Sequence, residues 1–213
     1  MRNTMRCITW LVAFLLCNEA ALQKLRNEVD TAIDTTFGSM ENLQKASPHD
    51  LNEKTLPLLH SAVLETLRLA VVAITARPAA QGAAIPLDDG TYVTIKGGTE
   101  VIANGYTLNL SESSFDNATA FQIDRFVDGD PEALATLIPP FGLGKHVCKG
   151  RDFAMYEMKM FILILLRCFT FTGHTKDGNK IPDGQVPRRS MTALITPALY
   201  LKEEFYVRIS PRS

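Results

Sequence analysis

FGLGKHVCKG, residues 141–150, sets one histidine and one cysteine among three glycines. It follows Pro139 and Pro140 and runs straight into RDFAMYEMKMFILILL, which is helical in composition. Spacing excludes two phosphate loops: there is no GxxxxGK[ST], and the third glycine is misplaced for GxGxxG, with no clear strand ahead of it. A cysteine–histidine nucleophile is conceivable, but His146 and Cys148 stand two apart in a loop and no orienting Asn or Asp is identified. A buried, inert thiol is the usual fate of a free cysteine.

The remaining chemistry is a metal thiolate. Glycines at 142, 144 and 150 strip side chains from the backbone around Cys148. The chain can then pass close under a large flat ligand and aim amide N–H groups at the sulfur. The helix beginning at Arg151 would set its positive N-terminal end near a thiolate. Phe141 supplies an apolar wall, and His146 a polar group able to reach an acidic ligand edge. A haem held by axial Cys148 fits each of these features.

Upstream, PLLHSAVLETLRLAVV carries Glu65 and Arg68 three apart, on one helix face. A solvated pair of this kind contributes only ~0.2–0.5 kcal/mol and is the commoner meaning of an isolated ExxR. Here the flanking leucines and valines leave little polar face. A buried Glu–Arg pair must be geometrically complete, because removing one partner strands a charge at ~3–5 kcal/mol. Arg has five donors, more than one Glu can satisfy, so a third group from elsewhere should join.

Bulk properties are those of an ordinary globular chain. Of 213 residues 46% are hydrophobic and 21% charged, with net charge −1, enough for a sizeable core and without the basic surplus of a nucleic-acid surface. The four cysteines (Cys7, Cys17, Cys148, Cys168) form neither a disulfide framework nor a structural-zinc pattern. Arg2 and Arg6 before the apolar run Cys7–Cys17 resemble a signal peptide. Its eleven residues would span only roughly 16 Å as a helix, short of a ~30 Å hydrocarbon core. Leu22, Leu25 and Val29 continue the stripe, so one long helix over about 7–32 is the expected form, with a small secreted protein as the lesser alternative.

The remaining elements read as a polar connector with short helical pieces, a helix over 57–69 with Thr55 as N-cap, and a β-region over 83–107. In that region TYVTI and TEVIA form a hairpin about Lys96-Gly97-Gly98. A loop-like meander over 109–150, a helix over 151–169 and a small closing sheet over 173–213 follow. The expected fold is mainly α with small β-sheets (α+β), as one partial domain over 1–213.

With these residues in place, the sequence resembles the cytochrome P-450 superfamily of haem-thiolate monooxygenases. Phe141-Gly142-x-Gly144-x-His146-x-Cys148-x-Gly150 matches the family's cysteine loop, with His146 where most members carry Arg. Glu65-x-x-Arg68 matches its ExxR helix. Phe121-Gln122-Ile123-Asp124-Arg125-Phe126 ends in the Arg-Phe whose arginine completes a Glu65–Arg68–Arg125 triad, although Ile123 replaces the usual proline. Residues 8–30 resemble its J helix, and residues 95–101 its hairpin. The general texture is that of fungal secondary metabolism.

The resemblance implies haem b as cofactor and Cys148 as its axial iron ligand. Phe141 would lie beside the thiolate, and His146 and Arg77 would contact the propionates, an ordinary surface arginine being the alternative for Arg77. Residues 72–75 would face substrate, or else belong to an apolar core stretch. The implied activity is oxidation or hydroxylation of a small apolar compound, with dioxygen and electrons from an NADPH-dependent reductase. The complete form would be cytoplasmic or on the cytosolic face of the endoplasmic reticulum. The match covers only the C-terminal half of the family's fold. The expectation is therefore a chain without the I helix, the membrane anchor or the distal haem wall, and with apolar faces left open. Asp34-Thr35-Thr36 imitates the I helix acid–alcohol pair but follows the J-like segment, and reads as a polar connector. The alternative is a degenerate, non-catalytic fragment binding haem weakly or not at all.

Overall fold

A computed structural model describes residues 2–72, 74–127, 140–190, 198–202 and 204–212. Among these residues the chain is helix-dominated with four small antiparallel two-stranded sheets, a mixed α+β architecture.

Helix α1 (Arg2–Leu16) buries Cys7, Ile8, Trp10, Leu11, Phe14 and Leu15. These positions recur at helical spacing and so form one apolar face. Trp10 stacks on Phe14 and Phe14 on Phe121, at centroid distances of 5.3 and 4.9 Å. The Trp10 indole N–H donates to the Leu199 carbonyl at 2.9 Å, which satisfies its one polar atom inside the core. Helix α2 (Glu19–Ala32) follows after a bend of 112°.

The single helix expected over 7–32 is thus two helices. Asn18 breaks it: its side chain accepts the Ala21 N–H at 2.9 Å and caps α2, a bond that competes with helix continuation. The Cys17 carbonyl, freed at the bend, accepts the Gly184 N–H at 2.7 Å. The bend lets both apolar stripes reach the same neighbours. No single helix among the described residues is long and apolar enough to cross a membrane.

Residues expected as a polar connector after α2 instead continue it as a π-helical turn, Ile33–Phe37, closed by Gly38 at φ 72°. Thr35 donates to the Thr31 carbonyl four residues back, and Asp34 pairs with distant Arg167 at 3.2 Å. Short helix α3 (Met40–Gln44) leads towards α4 (Pro57–Ala70), the central helix, whose residues from Leu59 to Ala70 are almost all buried.

Thr55 does not cap α4. The N-cap residue is Leu56, which offers no side-chain acceptor, and Glu28 of α2 supplies one from across the core. Its two carboxylate oxygens accept the Leu58 and Leu59 N–H groups at 2.7 and 2.8 Å. A carboxylate at the positive end of a helix is well placed. Burial nevertheless pushes the Glu28 pKa up, against the opposing pull of those two hydrogen bonds.

The β-region also differs from the expected hairpin. Strand β1 (Ile74–Pro78) pairs with β4 (Glu100–Asn104), and β2 (Ala83–Pro86) with β3 (Tyr92–Ile95). TYVTI and TEVIA therefore have different partners. The Gly98 N–H donates to the Ala79 carbonyl at 3.0 Å and the Ala79 N–H to the Thr99 carbonyl at 2.8 Å, so the Lys96–Gly98 turn hands the chain from one ladder to the other. A short helix α5 (Gly105–Asn109) opens the meander. Helix α6 (Arg151–Cys168) buries Met158, Ile162, Leu163 and Leu166 against the core and leaves Phe153, Phe161 and Ile164 exposed. Strand β5 (Phe169–His174) pairs with β8 (Tyr206–Pro211), and β6 (Arg189–Ser190) with β7 (Tyr200–Leu201).

Candidate functional site

Helix α4 places Glu65 and Arg68 on its buried face, at 0% and 1% side-chain exposure. Arg68 Nε donates to Glu65 Oε2 at 2.7 Å and Nη2 to Oε1 at 2.8 Å, a fork-on-fork pair. Arg125, from the meander, brings Nε to 3.0 and 3.1 Å from the same two oxygens. The Gln122 N–H adds a bond to Oε1 at 3.1 Å. Glu65, Arg68 and Arg125 therefore meet, as the need for a third group requires.

One carboxylate between two guanidiniums leaves a net positive charge, and backbone carbonyls absorb it. Arg68 Nη1 donates to the Asn109 and Ala118 carbonyls, and Nη2 to Ala120. Arg125 Nη1 donates to Asp116 at 2.7 Å. Both guanidiniums also lie over the Phe115 ring, at 4.8 and 5.6 Å from its centroid. These acceptors were not legible beforehand, because a backbone carbonyl carries no residue-specific mark. The cluster ties the meander to α4 at several points. One group remains unsatisfied: the Asn109 side chain is fully buried with neither polar atom bonded.

The cysteine loop is folded by its glycines and one backbone bond. Gly142 and Gly144 have φ of 78° and 55°, which L side chains rarely adopt. At Gly142 an added Cβ would also sit 3.0 Å from the His146 carbonyl oxygen. Gly144–His146 form a 3₁₀ turn, and the Cys148 N–H donates to the Phe141 carbonyl at 2.7 Å, drawing the two ends of the loop together. Phe141 packs on the main core. Gly150 is the N-cap residue of α6, its absent Cβ 3.9 Å from Cys148 Sγ.

Cys148 is exposed, whereas Cys7 and Cys17 are buried and their thiols pushed up to about 12 and about 11 by desolvation. Cys168 is half-buried, so the most accessible of the four thiols is the one in the glycine frame. His146 is also exposed. Arg77 lies on exposed β1 and donates to the carbonyl of neighbouring Ala76 at 2.7 Å. Val72 is buried in the core and Thr75 exposed, while position 73 falls outside the described residues. No cluster of three or more His, Cys, Asp or Glu side chains suited to a metal ion occurs among the described residues.

Comparison with known proteins agrees with this geometry. The family model described as Cytochrome P450 matches residues 1–201. The 25-hydroxycholesterol 7-alpha-hydroxylase of Rattus norvegicus is 32% identical over 79% of this chain and 43% of its own length. Protopine 6-monooxygenase of Eschscholzia californica is 26% identical over 92% of this chain and 36% of its own. Steroid 17-alpha-hydroxylase/17,20 lyase of Bison bison is 28% identical over 85% and 34%. The chain thus spans less than half the length of these relatives. On the family match, the buried triad and the glycine-framed thiol together, this chain belongs to the cytochrome P450 family.

Proposed function

We propose that the protein works as a haem-thiolate monooxygenase on a small apolar substrate, with Cys148 as the axial ligand. The observation that carries this is the exposed Cys148 thiol, held in a loop whose conformation at positions 142 and 144 calls for glycine. Family membership implies haem, and the residues present suit it. Cys148 supplies one soft anionic donor, and the side-chain-free flank at Gly142, Gly144 and Gly150 admits a flat ring close to the backbone. His146 and Arg77, both exposed, carry donors for the carboxylate edge.

Haem, once bound, supplies the one-electron and dioxygen chemistry. The protein's own share is to hold the sulfur, through the Phe141 carbonyl and the start of α6, and to cover that face with Phe141. Glu65, Arg68 and Arg125 act at a distance by fixing the meander that leads into the loop. Relatives named as monooxygenases and hydroxylases support the reaction type, and two of those names are of a hydroxycholesterol and a steroid enzyme. Electrons from an NADPH-dependent reductase, a place at the cytosolic face of the endoplasmic reticulum, and a role in secondary metabolism complete the reading.

The test is spectroscopic. Purified chain is reconstituted with haem b, reduced and exposed to carbon monoxide. A strongly red-shifted Soret band, absent in Cys148→Ala, is the expected result. Identical spectra from the two proteins would remove Cys148 as the ligand.

A further inference from the structure

Asn104-Gly105 is the one Asn-Gly pair in the chain, and it stands where β4 passes into α5. Glycine after asparagine leaves the intervening peptide nitrogen without a neighbouring Cβ to shield it. Attack by that nitrogen on the asparagine side-chain carbonyl is the reaction that makes asparagine a thermolabile residue.

At four other asparagines the following nitrogen is occupied. After Asn18 the Glu19 N–H donates to Asp183 at 2.9 Å, and after Asn42 the Leu43 N–H donates to the Ser39 carbonyl at 3.1 Å. After Asn109 the Leu110 N–H is bound at 3.2 Å, and after Asn117 the Ala118 N–H donates to Glu112 at 3.0 Å. The Gly105 N–H, at the open end of α5, has no acceptor among the described residues. Asn104 itself is exposed.

Attack needs the Asn104 ψ, 84° in the folded chain, to swing until the nitrogen faces Cγ. Little opposes that swing. The side-chain oxygen of Asn104 accepts the Thr107 N–H at 3.3 Å, beyond the ordinary range of about 2.7–3.2 Å. The helix it caps has only five residues, too few to hold its own first turn firmly.

We propose that Asn104 is a site of spontaneous deamidation, and that its isoaspartate product loosens the hold on Arg68. The Gly105 nitrogen gives up its proton and bonds to Asn104 Cγ, the side-chain nitrogen leaves as ammonia, and a five-membered imide closes. Water then opens it: cleavage at the Cγ side leaves aspartate, and cleavage at the backbone carbonyl leaves isoaspartate. Nothing is oxidised or reduced, and neither haem nor Cys148 takes part. Aspartate caps a helix as well as asparagine does, so α5 survives the first outcome. Isoaspartate lengthens the main chain by a methylene and removes the cap. The far end of α5 is Asn109, whose carbonyl accepts from Arg68 and whose own side chain is buried without a bond.

The purified chain is aged at mildly alkaline pH, and its proteolytic peptides are followed by mass spectrometry and an isoaspartate methyltransferase assay. The peptide carrying Asn104 should convert first and contain isoaspartate. Gly105→Ala should slow the conversion at least about tenfold, the equivalent of about 1.4 kcal/mol of barrier. Should that variant fail to fold, the wild-type order of conversion decides alone. Conversion at Asn104 no faster than at exposed Asn117, or aspartate without isoaspartate, would overturn the site. Isoaspartate protein isolated by chromatography should unfold at lower urea than Asn104→Asp, which should match the fresh chain. Equal midpoints for the two would overturn the link to Arg68.

Discussion

Replacing Glu65 by Gln tests the central claim that one carboxylate holds two buried guanidiniums. Oε1 accepts from Arg68, Arg125 and Gln122, and Oε2 from Arg68 and Arg125, all between 2.7 and 3.1 Å. Glutamine keeps the shape but turns one oxygen into an NH₂ that faces donors. It also leaves two positive charges at the core with no negative one. Stranding buried charge costs ~3–5 kcal/mol, a large part of the ~5–15 kcal/mol that holds a domain folded. With a urea slope of ~2 kcal/mol/M, the midpoint should fall by about 2 M. Arg125→Met is the control. It removes the more exposed guanidinium, 9% against 1%, and leaves Glu65 and Arg68 as a neutral pair. Its cost is expected near 1–3 kcal/mol, that of lost hydrogen bonds to charged groups. Urea unfolding followed by circular dichroism ranks the two. A smaller loss for Glu65→Gln than for Arg125→Met would refute the charge argument, whatever the absolute values.

Three further outcomes follow from other parts of the molecule. Gly142→Ala should lower stability by about 2 kcal/mol, since it combines φ 78° with a 3.0 Å approach to the His146 carbonyl, whereas Gly150→Ala, at φ −94°, should stay within ~0.5 kcal/mol in thermal melts. Glu28→Gln should cost about 1 kcal/mol in urea unfolding by weakening the cap on α4, and an unchanged midpoint would show that the two N–H bonds contribute nothing. His60→Gln should flatten the acid side of the stability profile. The folded-state value of about 4 lies below the ordinary 6.5, so between those values the unfolded chain takes up the proton first and wild-type stability falls as pH is lowered. The wild-type-minus-variant difference, measured by urea unfolding from pH 7 to 4, should drop through that window, and a flat difference would contradict the neutral ring.

What the sequence disclosed divides by range. Glu65 and Arg68 are three apart, so a helix periodicity was enough to put them on one face, and Arg's spare donors predicted a third partner before Arg125 was located. The glycines of the cysteine loop were legible for the same local reason. Features created by distant chain were not. Asn18 reads as an ordinary polar residue inside a helical stripe until its capping bond bends the chain by 112°. Thr55 reads as the better cap for α4 because nothing local announces that Glu28, thirty residues earlier, reaches its N-terminus. Lys159 stands two residues after Glu157 in α6, and nothing local announces its partners Leu51 and His60, 108 and 99 positions away.

The same division explains how a loop with so little side chain can hold a ligand atom in place. Cys148 is fixed from two sides: its N–H is bound to the Phe141 carbonyl, and its own carbonyl accepts the Arg151 N–H at 3.2 Å as α6 begins. Phe141 is anchored in the core, and α6 is anchored by Met158, Ile162, Leu163 and Leu166. Neither anchor passes through the triad, which instead grips the meander at Asn109, Ala118 and Ala120. Glu65, Arg68 and Arg125 thus act on the sulfur indirectly, through the meander and overall stability, whereas Gly142 acts on it through the path of the loop itself. The triad is a condition for the fold, and the glycine frame is the part of the sequence that specifies the site.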